Sequence, residues 1–234
     1  MSGPQSPATV RTGSAEAAGG TVSTADLVGT DLAGTADLGP RAARTRMRIL
    51  AASRELFLEH GYAGTRIGQI TAACAISRAG FYTYFRDKQE IFNALGVAAY
   101  RAVLNTVEAW DELPSQGGDR PVSREDLADW VAGYFAIMDE HGPFIFSASQ
   151  SAPTDEQTQA DAHRMQMRTA WALGTRIQAR QRVPTDTPDT LGLAALALLD
   201  RSWFFSRPAN LPVSDREMVR TVADWLAALL GPAE

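Results

Sequence analysis

TRIGQITAACAISRAGFYTYFRDK, residues 65–88, is the stretch from which the organisation of this 234-residue chain can be worked out. It predicts two short helices joined by a tight turn. Thr65 stands where an N-cap would begin a helix over residues 66–74. Ser77 stands where another N-cap would begin a helix that ends at about Phe85.

The second of these helices has a polar, aromatic-rich outer face. Phe81 and Phe85 lie four residues apart, so both would pack inward. The residues that this arrangement leaves on or near the outside are Arg78, Ala79, Gly80, Tyr82, Thr83 and Tyr84. Two such helices are typical of a helix-turn-helix, whose second helix enters the major groove of DNA. We therefore interpret residues 65–88 as a DNA-reading unit.

The distribution of charge agrees with that interpretation. The formal net charge of −5 would by itself argue weakly against nucleic acid as a partner. Residues 40–92, however, contain nine basic and four acidic side chains, whereas the residues after 92 contain twelve basic and nineteen acidic ones. A basic module attached to an acidic body is typical of a protein in which one face binds phosphate.

Composition and motifs bound the class of protein. The chain is 45% hydrophobic and 21% charged, which is typical of a soluble globular protein, and its one cysteine excludes an internal disulfide framework. The sequence has no apolar run of roughly 18 to 20 residues and no secretory signal pattern, so we expect a cytoplasmic protein without a membrane partner. Histidine pairs at metal-ligand spacing and GxGxxG, Walker or GxSxG motifs are absent from the sequence. We therefore predict no metal site, no cofactor, no catalytic residue and no enzymatic activity.

The chain divides into three parts. Residues 1–39 are rich in Gly, Ala, Ser and Thr and lack an apolar period, which predicts a disordered tail. Residues 40–87, the head, would form the DNA-binding domain, with a first helix that ends at Gly61. Arginines gather at the start of that helix, where its dipole does not favour them, so they would face an external anion or form a solvated basic surface. Residues 88–234 form the body.

The body is predicted to be helical throughout. Its expected helices cover residues 88–111, 123–141, 144–152, 155–182, 189–205 and 215–230. Asp87 would cap the first of these, and Gly142 with Pro143 would stop the second. FIFSASQSA, residues 144–152, is compatible with a brief helix or a strand, and its helical surroundings favour a helix. The helix at 189–205 is apolar on nearly every side, which predicts that a partner subunit covers it.

Residues 48–92 closely resemble the N-terminal DNA-binding domain of the tetracycline-repressor-like (TetR) transcriptional regulators. Those domains share a first helix ending in Leu-Phe, a Gly-aromatic turn, a Thr-capped second helix, a recognition helix ending in Tyr-x-aromatic-Phe, and a Lys that opens the fourth helix. The matching residues here are Leu56, Phe57, Gly61, Tyr62, Thr65, Tyr82, Tyr84, Phe85 and Lys88. The chain departs from the family at Gly80, where many members have a side chain that touches DNA, and at Tyr84, which replaces a frequent His.

The resemblance implies an all-α fold, in which a three-helix helix-turn-helix domain precedes a helical ligand-binding and dimerisation domain. It also implies a homodimer formed through the last two helices. The candidate DNA contacts are Thr65, Arg66, Ser77, Arg78, Ala79, Gly80, Tyr82, Thr83, Tyr84 and Lys88. Arg78, in the first turn of the recognition helix, would bind a guanine edge or a phosphate, or remain a solvated surface residue. Tyr82, Tyr84 and Lys88 resemble the family's phosphate contacts, with surface packing as the alternative. The helix N-termini after Thr65 and Ser77 would direct backbone amides at phosphates.

The candidate ligand-binding residues are large apolar side chains of the body and one histidine, namely Trp110, Trp130, Tyr134, Met138, Phe144, Phe146, His163, Met167, Trp171 and Trp203. Aromatic residues and Met are typical of a mainly apolar pocket, although each of them could be ordinary core. We predict a regulator, in the first place a repressor, that binds a near-palindromic operator as a homodimer and is released by a small apolar or aromatic effector. The alternatives are an architectural DNA-binding protein or activator without an effector, and an enzyme within the helical body.

Overall fold

A computed structural model describes residues 39–114, 121–151, 156–209 and 211–231. In these ranges the chain forms eight α-helices, which confirms the predicted all-α fold. The helices are α1 (Pro40–Gly64), α2 (Ile67–Ala73), α3 (Arg78–Tyr82), α4 (Lys88–Glu108), α5 (Arg124–Ser151), α6 (Glu156–Gln178), α7 (Pro188–Ser206) and α8 (Asp215–Leu230), and a 3-10 turn (Ala109–Glu112) extends α4. The predicted tail lies outside the described residues except for Gly39.

Helix α1 begins and bends where its sequence allows. Pro40 occupies the first turn, where the missing N–H of proline has no partner in any helix. Gly61 has φ 70° and ψ 168°, so the regular helix is interrupted at the residue predicted to end it. One more helical turn follows, to Gly64.

Thr65 does not cap α2, contrary to the prediction. Arg66 is the N-cap of α2, and its backbone N–H donates to Oε1 of Gln69 at 2.7 Å. The Thr65 hydroxyl points the other way, toward the carbonyl oxygens of Leu56 at 3.0 Å and Gly61 at 2.9 Å. Because Thr65 is 2% exposed, it is a buried link between α1 and α2. A threonine between two helices can form hydrogen bonds with either of them, and only the packing of α1 determines which carbonyls accept from its hydroxyl.

Helix α5 continues through Gly142 and Pro143, where the sequence predicted a stop, and the segment after them is helical, as favoured. A proline inside a helix removes a backbone hydrogen bond and costs about 3 kcal/mol. Packing on the C-terminal side offsets this cost, because Phe144 is 4% exposed in the head core and Phe146 stacks on a ring of α7 at 5.1 Å. A Cβ on Gly142 would lie 2.4 Å from the ring of Trp203. Gly142 therefore allows the Trp203 ring to pack closely against α5, and it does not end the helix.

The helices enclose two hydrophobic cores. The head core contains Ile49, Phe57, Ile70, Cys74, Phe81, Phe85, Ile91, Phe92 and Phe144. The body core includes three tryptophans, Trp110, Trp130 and Trp203. Helix α4 contributes Phe92 to the head core and Val107 to the body core, and α5 contributes to both as well. These two helices therefore connect the DNA-reading unit with the body.

Helices α6 and α7 cross in backbone contact. A Cβ on Gly174 would lie 1.6 Å from the carbonyl oxygen of Pro188, so no larger residue fits at this crossing. The side of α7 that faces away from the body core keeps apolar groups in the open, with Leu193 37% and Phe205 40% exposed. One chain therefore covers α7 only in part.

Candidate nucleic-acid interface

Helix α3 is five residues long and is capped at its start as predicted. Oγ of Ser77 accepts the backbone N–H of Gly80 at 3.0 Å. The helix ends earlier than the predicted Phe85, and there the Thr83 hydroxyl donates to the Gly80 carbonyl at 2.7 Å. Phe81 and Phe85 are buried as predicted. Short as it is, α3 therefore has a capped start and a buried aromatic base.

The predicted DNA contacts differ in exposure. The exposed ones are Arg66, Ser77, Arg78, Ala79, Tyr82 and Thr83. Gly80, Tyr84 and Lys88 are half-buried, and the side chain of Thr65 is buried beneath the surface. Arg66, Arg78 and Lys88 line one open cleft of about 520 Å³. The structure therefore brings three predicted cationic contacts to a single surface.

Tyr82 carries a large ring on the outer face of α3. The ring is 53% exposed and meets Phe81 edge to face, with ring centroids 5.4 Å apart and planes at 89°. A tyrosine with an apolar ring and a polar tip is a residue type favoured at interfaces. Tyr82 exposes its ring and its hydroxyl on a helix that Phe81 anchors in the head core.

Lys88 has a structural role that the sequence did not indicate. Its ammonium donates to the carbonyl oxygens of Tyr62 and Thr65, the latter at 2.9 Å, and lies 4.2 Å from the centre of the Tyr62 ring. Burial lowers the pKa of Lys88. The two bonds use two of the three donors of the ammonium and join the end of α1 to the start of α4. Within the described part of the chain, this leaves the third donor for another acceptor, such as a phosphate.

The arginines at the start of α1 are not equivalent. Arg41, Arg44 and Arg48 are exposed, whereas Arg46 is 5% exposed. The sequence predicted that these arginines face an external anion or form a solvated basic surface, and both alternatives are wrong for Arg46. Its spacing of three residues from the buried Ile49 was the signal that could have separated it from the others.

The candidate ligand residues do not form one cluster. Those that are buried are Trp110, Trp130, Tyr134, Met138, Phe144 and Trp203, while Phe146 is half-buried. Phe144 belongs to the head core, where its ring lies 5.2 Å from that of Phe92. His163, Met167 and Trp171 lie on the exposed side of α6. Their predicted place in the buried pocket is wrong for a single chain, because α6 turns Ala170, Leu173 and Gly174 inward instead.

Two carboxylates that the sequence did not single out lie beside aromatic side chains of the body. The Tyr134 hydroxyl donates to Oδ1 of Asp200 at 2.6 Å, and the Trp203 indole N–H donates to Oδ1 of Asp139 at 2.9 Å. Burial raises the pKa of Asp200, and the hydrogen bond from Tyr134 partly counters that rise. Burial and the neighbouring Asp200 raise the pKa of Tyr134 well above its ordinary value. A signal was present in the sequence, because Asp200 directly follows the apolar run at residues 191–199.

Trp110 adds a polar group to the body core. It is fully buried, and its Nε1 has no hydrogen-bond partner among the residues that the structure describes. Its ring meets that of Trp130 edge to face at 4.8 Å, while the N–H of Trp130 donates to the Thr106 carbonyl at 3.0 Å. A buried donor that lacks an acceptor costs about 1 to 3 kcal/mol. The Trp110 N–H is therefore a candidate contact point for a polar group of a ligand.

Within the described ranges, no group of three or more His, Cys, Asp or Glu side chains is placed to hold a metal ion. Among the helices that the structure describes, none has the length and apolar character needed to cross a membrane. Cys74 is 2% exposed in the head core, and burial raises the pKa of its thiol.

The N-terminal helices match a known family. Residues 49–95 match the family described as bacterial regulatory proteins, tetR family. Over 96 residues the chain is 36% identical to the HTH-type transcriptional regulator HbdR of Aromatoleum sp. (strain CIB), covering 40% of this chain and 38% of HbdR. Over 124 residues it is 35% identical to the HTH-type transcriptional repressor AcnR of Corynebacterium glutamicum, covering 44% of this chain and 64% of AcnR. The match spans less than two thirds of either relative.

Solved structures share the fold over more of the chain. The TetR family transcriptional regulator PfmR from Thermus thermophilus superimposes with a TM-score of 0.60 at 21% identity, over 80% of this chain and 100% of PfmR. A TetR-family transcriptional regulator from Marinobacter aquaeolei gives a TM-score of 0.57 at 20% identity, over 79% of this chain and 88% of the other. These identities show the fold alone. Residues 49–95 therefore match the DNA-binding region of the tetR family, and the chain as a whole shares the fold of solved tetR-family regulators.

Proposed function

We propose that this regulator is a homodimeric repressor that binds a near-palindromic operator in the cytoplasm and is released by a small, largely apolar effector. The observation that carries the proposal is the outer face of α3, where Arg78 and Tyr82 stand exposed above the buried Phe81 and Phe85. Side chains held on a fixed base lose little entropy when they bind. AcnR, which is named a repressor, supports the same direction of regulation.

Sequence discrimination would depend mainly on Arg78. It lies in the first turn of α3, and the next two residues, Ala79 and Gly80, offer little side chain for base contacts. An arginine fork on a guanine edge supplies about 1 to 3 kcal/mol of discrimination. Tyr82 and Lys88 are proposed phosphate contacts, the latter through its third donor.

The dimer would form through α7 and α8. Leu193 and Phe205 of α7 and Trp225 of α8 are 37%, 40% and 45% exposed. A second copy that covers them would fix the distance between two heads. Two recognition helices can then enter successive major grooves, about 34 to 36 Å apart.

The effector would bind in the body. The Trp110 N–H and the Tyr134–Asp200 pair provide polar groups within a mainly apolar core, which is the composition of a small-molecule site. Helix α5 carries Tyr134 in the body core and Phe144 in the head core, so a ligand that moves α5 would move the head. A coupling of about 1 to 3 kcal/mol is typical of such regulation.

An electrophoretic shift with promoter DNA of the protein's own gene tests DNA binding. We expect Arg78→Ala to weaken binding about tenfold or more, because it removes a base or phosphate contact. Tyr82→Phe and Lys88→Ala should also weaken it, the latter with a reduced dependence on salt. Arg164→Ala, at an exposed arginine of α6, is the control and should bind as wild type does. Unchanged binding by all three head variants would contradict the docking proposed here.

Thermal melting tests the effector. The panel should include a fatty acid, a steroid and an aromatic acid, each added to the full-length protein. Stabilisation by one of them, together with release of DNA, supports an effector-controlled repressor. If no compound in a broad panel raises the melting temperature, an architectural protein or activator without an effector becomes the better description.

A further inference from the structure

Arg46 is a buried cation in a region where the sequence predicts cations for DNA. Its guanidinium Nη1 donates to the Tyr84 carbonyl at 3.3 Å, across 38 residues of chain. The guanidinium carbon lies 4.0 Å from the centre of the Phe85 ring, which is the geometry of a cation–π contact. Both partners lie just beyond the C-terminal end of α3. With 5% of its surface exposed, Arg46 is enclosed by protein and not available to a phosphate.

Ser77 caps the N-terminal end of α3, and the contacts of Arg46 hold its C-terminal end. The Phe81 carbonyl accepts the N–H groups of Tyr84 at 2.9 Å and Phe85 at 3.1 Å, which close the last turn. Carbonyls at a helix C-terminus have no further N–H within the helix, and arginine donors satisfy them with support from the helix dipole. Arg46 therefore attaches the C-terminal end of α3 to α1.

A second arginine of α1 does the same for α2. Nη2 of Arg48 donates at 2.8 Å to the carbonyl of Cys74, the C-cap residue of α2, and the Cys74 thiol lies 3.6 Å from the Arg48 carbonyl. Each helix of the DNA-reading unit is thus tied at its C-terminal end to α1 by one guanidinium. Because Arg46 is buried and Arg48 is exposed, Arg46 is the clearer case of an arginine that bonds to protein and not to DNA.

We propose that Arg46 is a positioning residue for DNA recognition, which sets the orientation of α3 through the Tyr84 carbonyl and the Phe85 ring. The proposal rests on the proposed function, because it concerns how the chain reads its operator. A phosphate contact needs only positive charge, which lysine supplies. The position of Arg46 needs a planar group that donates and stacks at once, which lysine does not supply.

The test compares Arg46→Lys and Arg46→Gln with Arg44→Gln, an exposed control on the same helix. Full-length proteins are titrated, at several salt concentrations, against duplexes that the wild type selects from a random-sequence library and against a scrambled duplex. We expect both Arg46 variants to bind the selected duplex about tenfold or more weakly. Their binding to the scrambled duplex and their salt dependence should match those of the wild type. Any loss in Arg44→Gln should be equal on the two duplexes.

A salt slope that falls by about one in Arg46→Gln and is restored by Arg46→Lys would reveal a phosphate contact and overturn the proposal. Hydrogen exchange provides a measurement without DNA. Amides of residues 78–85 should exchange faster in Arg46→Lys than in the wild type, with those of α7 unchanged, and unaltered exchange at 78–85 would also overturn the proposal. A wild type that selects no duplex would contradict the proposed function, while the exchange measurement would still decide the role of Arg46.

Discussion

Gly142 lies where α5 passes the indole of Trp203. Because an added Cβ would lie 2.4 Å from that ring, Gly142→Ala must displace the ring or the helix. We expect a loss of about 1 to 3 kcal/mol in the free energy of unfolding, measured by urea denaturation. Gly133→Ala is the control, because a Cβ added to this glycine of the same helix would have no atom of the described residues within 4 Å. It should gain about 0.5 to 1 kcal/mol from helix propensity, so equal effects at the two sites would contradict the contact.

Tyr134 stabilises a buried carboxylate, and this gives a prediction with a pH dependence. Tyr134→Phe leaves Asp200 without its 2.6 Å hydrogen bond, which should cost about 1.5 to 3 kcal/mol at pH 7. Burial already raises the pKa of Asp200, and the variant raises it further. The pKa of Asp200 is higher in the folded state than in the unfolded state, so its ionisation opposes folding at high pH. This penalty shrinks as the pH falls and disappears below the unfolded-state pKa.

The loss in Tyr134→Phe should therefore shrink as the pH falls from 7 toward about 4, near the ordinary pKa of aspartate. Unfolding free energies across this range provide the measurement. Asp200→Asn, which cannot ionise, is the matched variant. In a protein that carries Asp200→Asn, the loss caused by Tyr134→Phe should be the same at every pH. With Asp200 in place, a loss that is the same at every pH would show that Asp200 is not the group involved.

At the scale of elements, Arg207 clamps the end of α7 to α5 and α8. Its Nε and Nη2 donate to the two carboxylate oxygens of Asp215 at 2.9 and 3.0 Å, and its Nη1 bonds to Asp139 of α5. The Arg207 guanidinium lowers the pKa of Asp215 and is itself held charged. Since the folded pKa of Asp215 lies below the unfolded one, the stability from this pair is present above about pH 4 and is lost as the pH falls through the folded pKa.

Arg207→Lys keeps the charge but loses the two parallel bonds to Asp215. Because the pair is partly exposed, we expect the variant to lower the free energy of unfolding by about 1 kcal/mol. The further drop in the free energy of unfolding below pH 4 should be smaller in the variant than in the wild type. Thermal melting at pH 7 and pH 3 would measure both effects. Arg124→Lys, at the more exposed pair with Asp224, is the control and should change little. A cost at Arg207 no larger than at Arg124 would contradict the clamp.

At the scale of the whole molecule, the proposed dimer depends on apolar surface that one chain leaves open. Trp225→Asp should convert the dimer to a monomer without unfolding it, because a carboxylate buried without a partner in an apolar interface is costly. Sedimentation equilibrium measures the change, and operator binding should fall with it, since two linked heads bind far better than one. Val183→Asp, at an 82% exposed valine after α6, should leave the dimer intact. An intact Trp225→Asp dimer would place the interface elsewhere.

Much of the head follows from short stretches of its sequence. Ser77 and Asp87 cap their helices as predicted, each through an N–H three residues ahead. Phe81 and Phe85 are buried because their spacing puts them on one face of the chain. Such features depend on groups within one or two turns, so the periodicity of apolar residues and the cap residues are sufficient to predict them.

The use of charged and polar side chains was settled by packing. Arg46, Lys88 and Thr65 all have the residue types of DNA contacts, yet each bonds to a carbonyl 9 to 38 residues away in the chain. Packing likewise carries α5 through Pro143 and leaves Trp171 in the open. A donor bonds to whichever carbonyl the assembled helices leave without a partner, and a helix continues through a proline when contacts on its sides offset the lost hydrogen bond. Both depend on residues that are distant in sequence, which no local pattern contains.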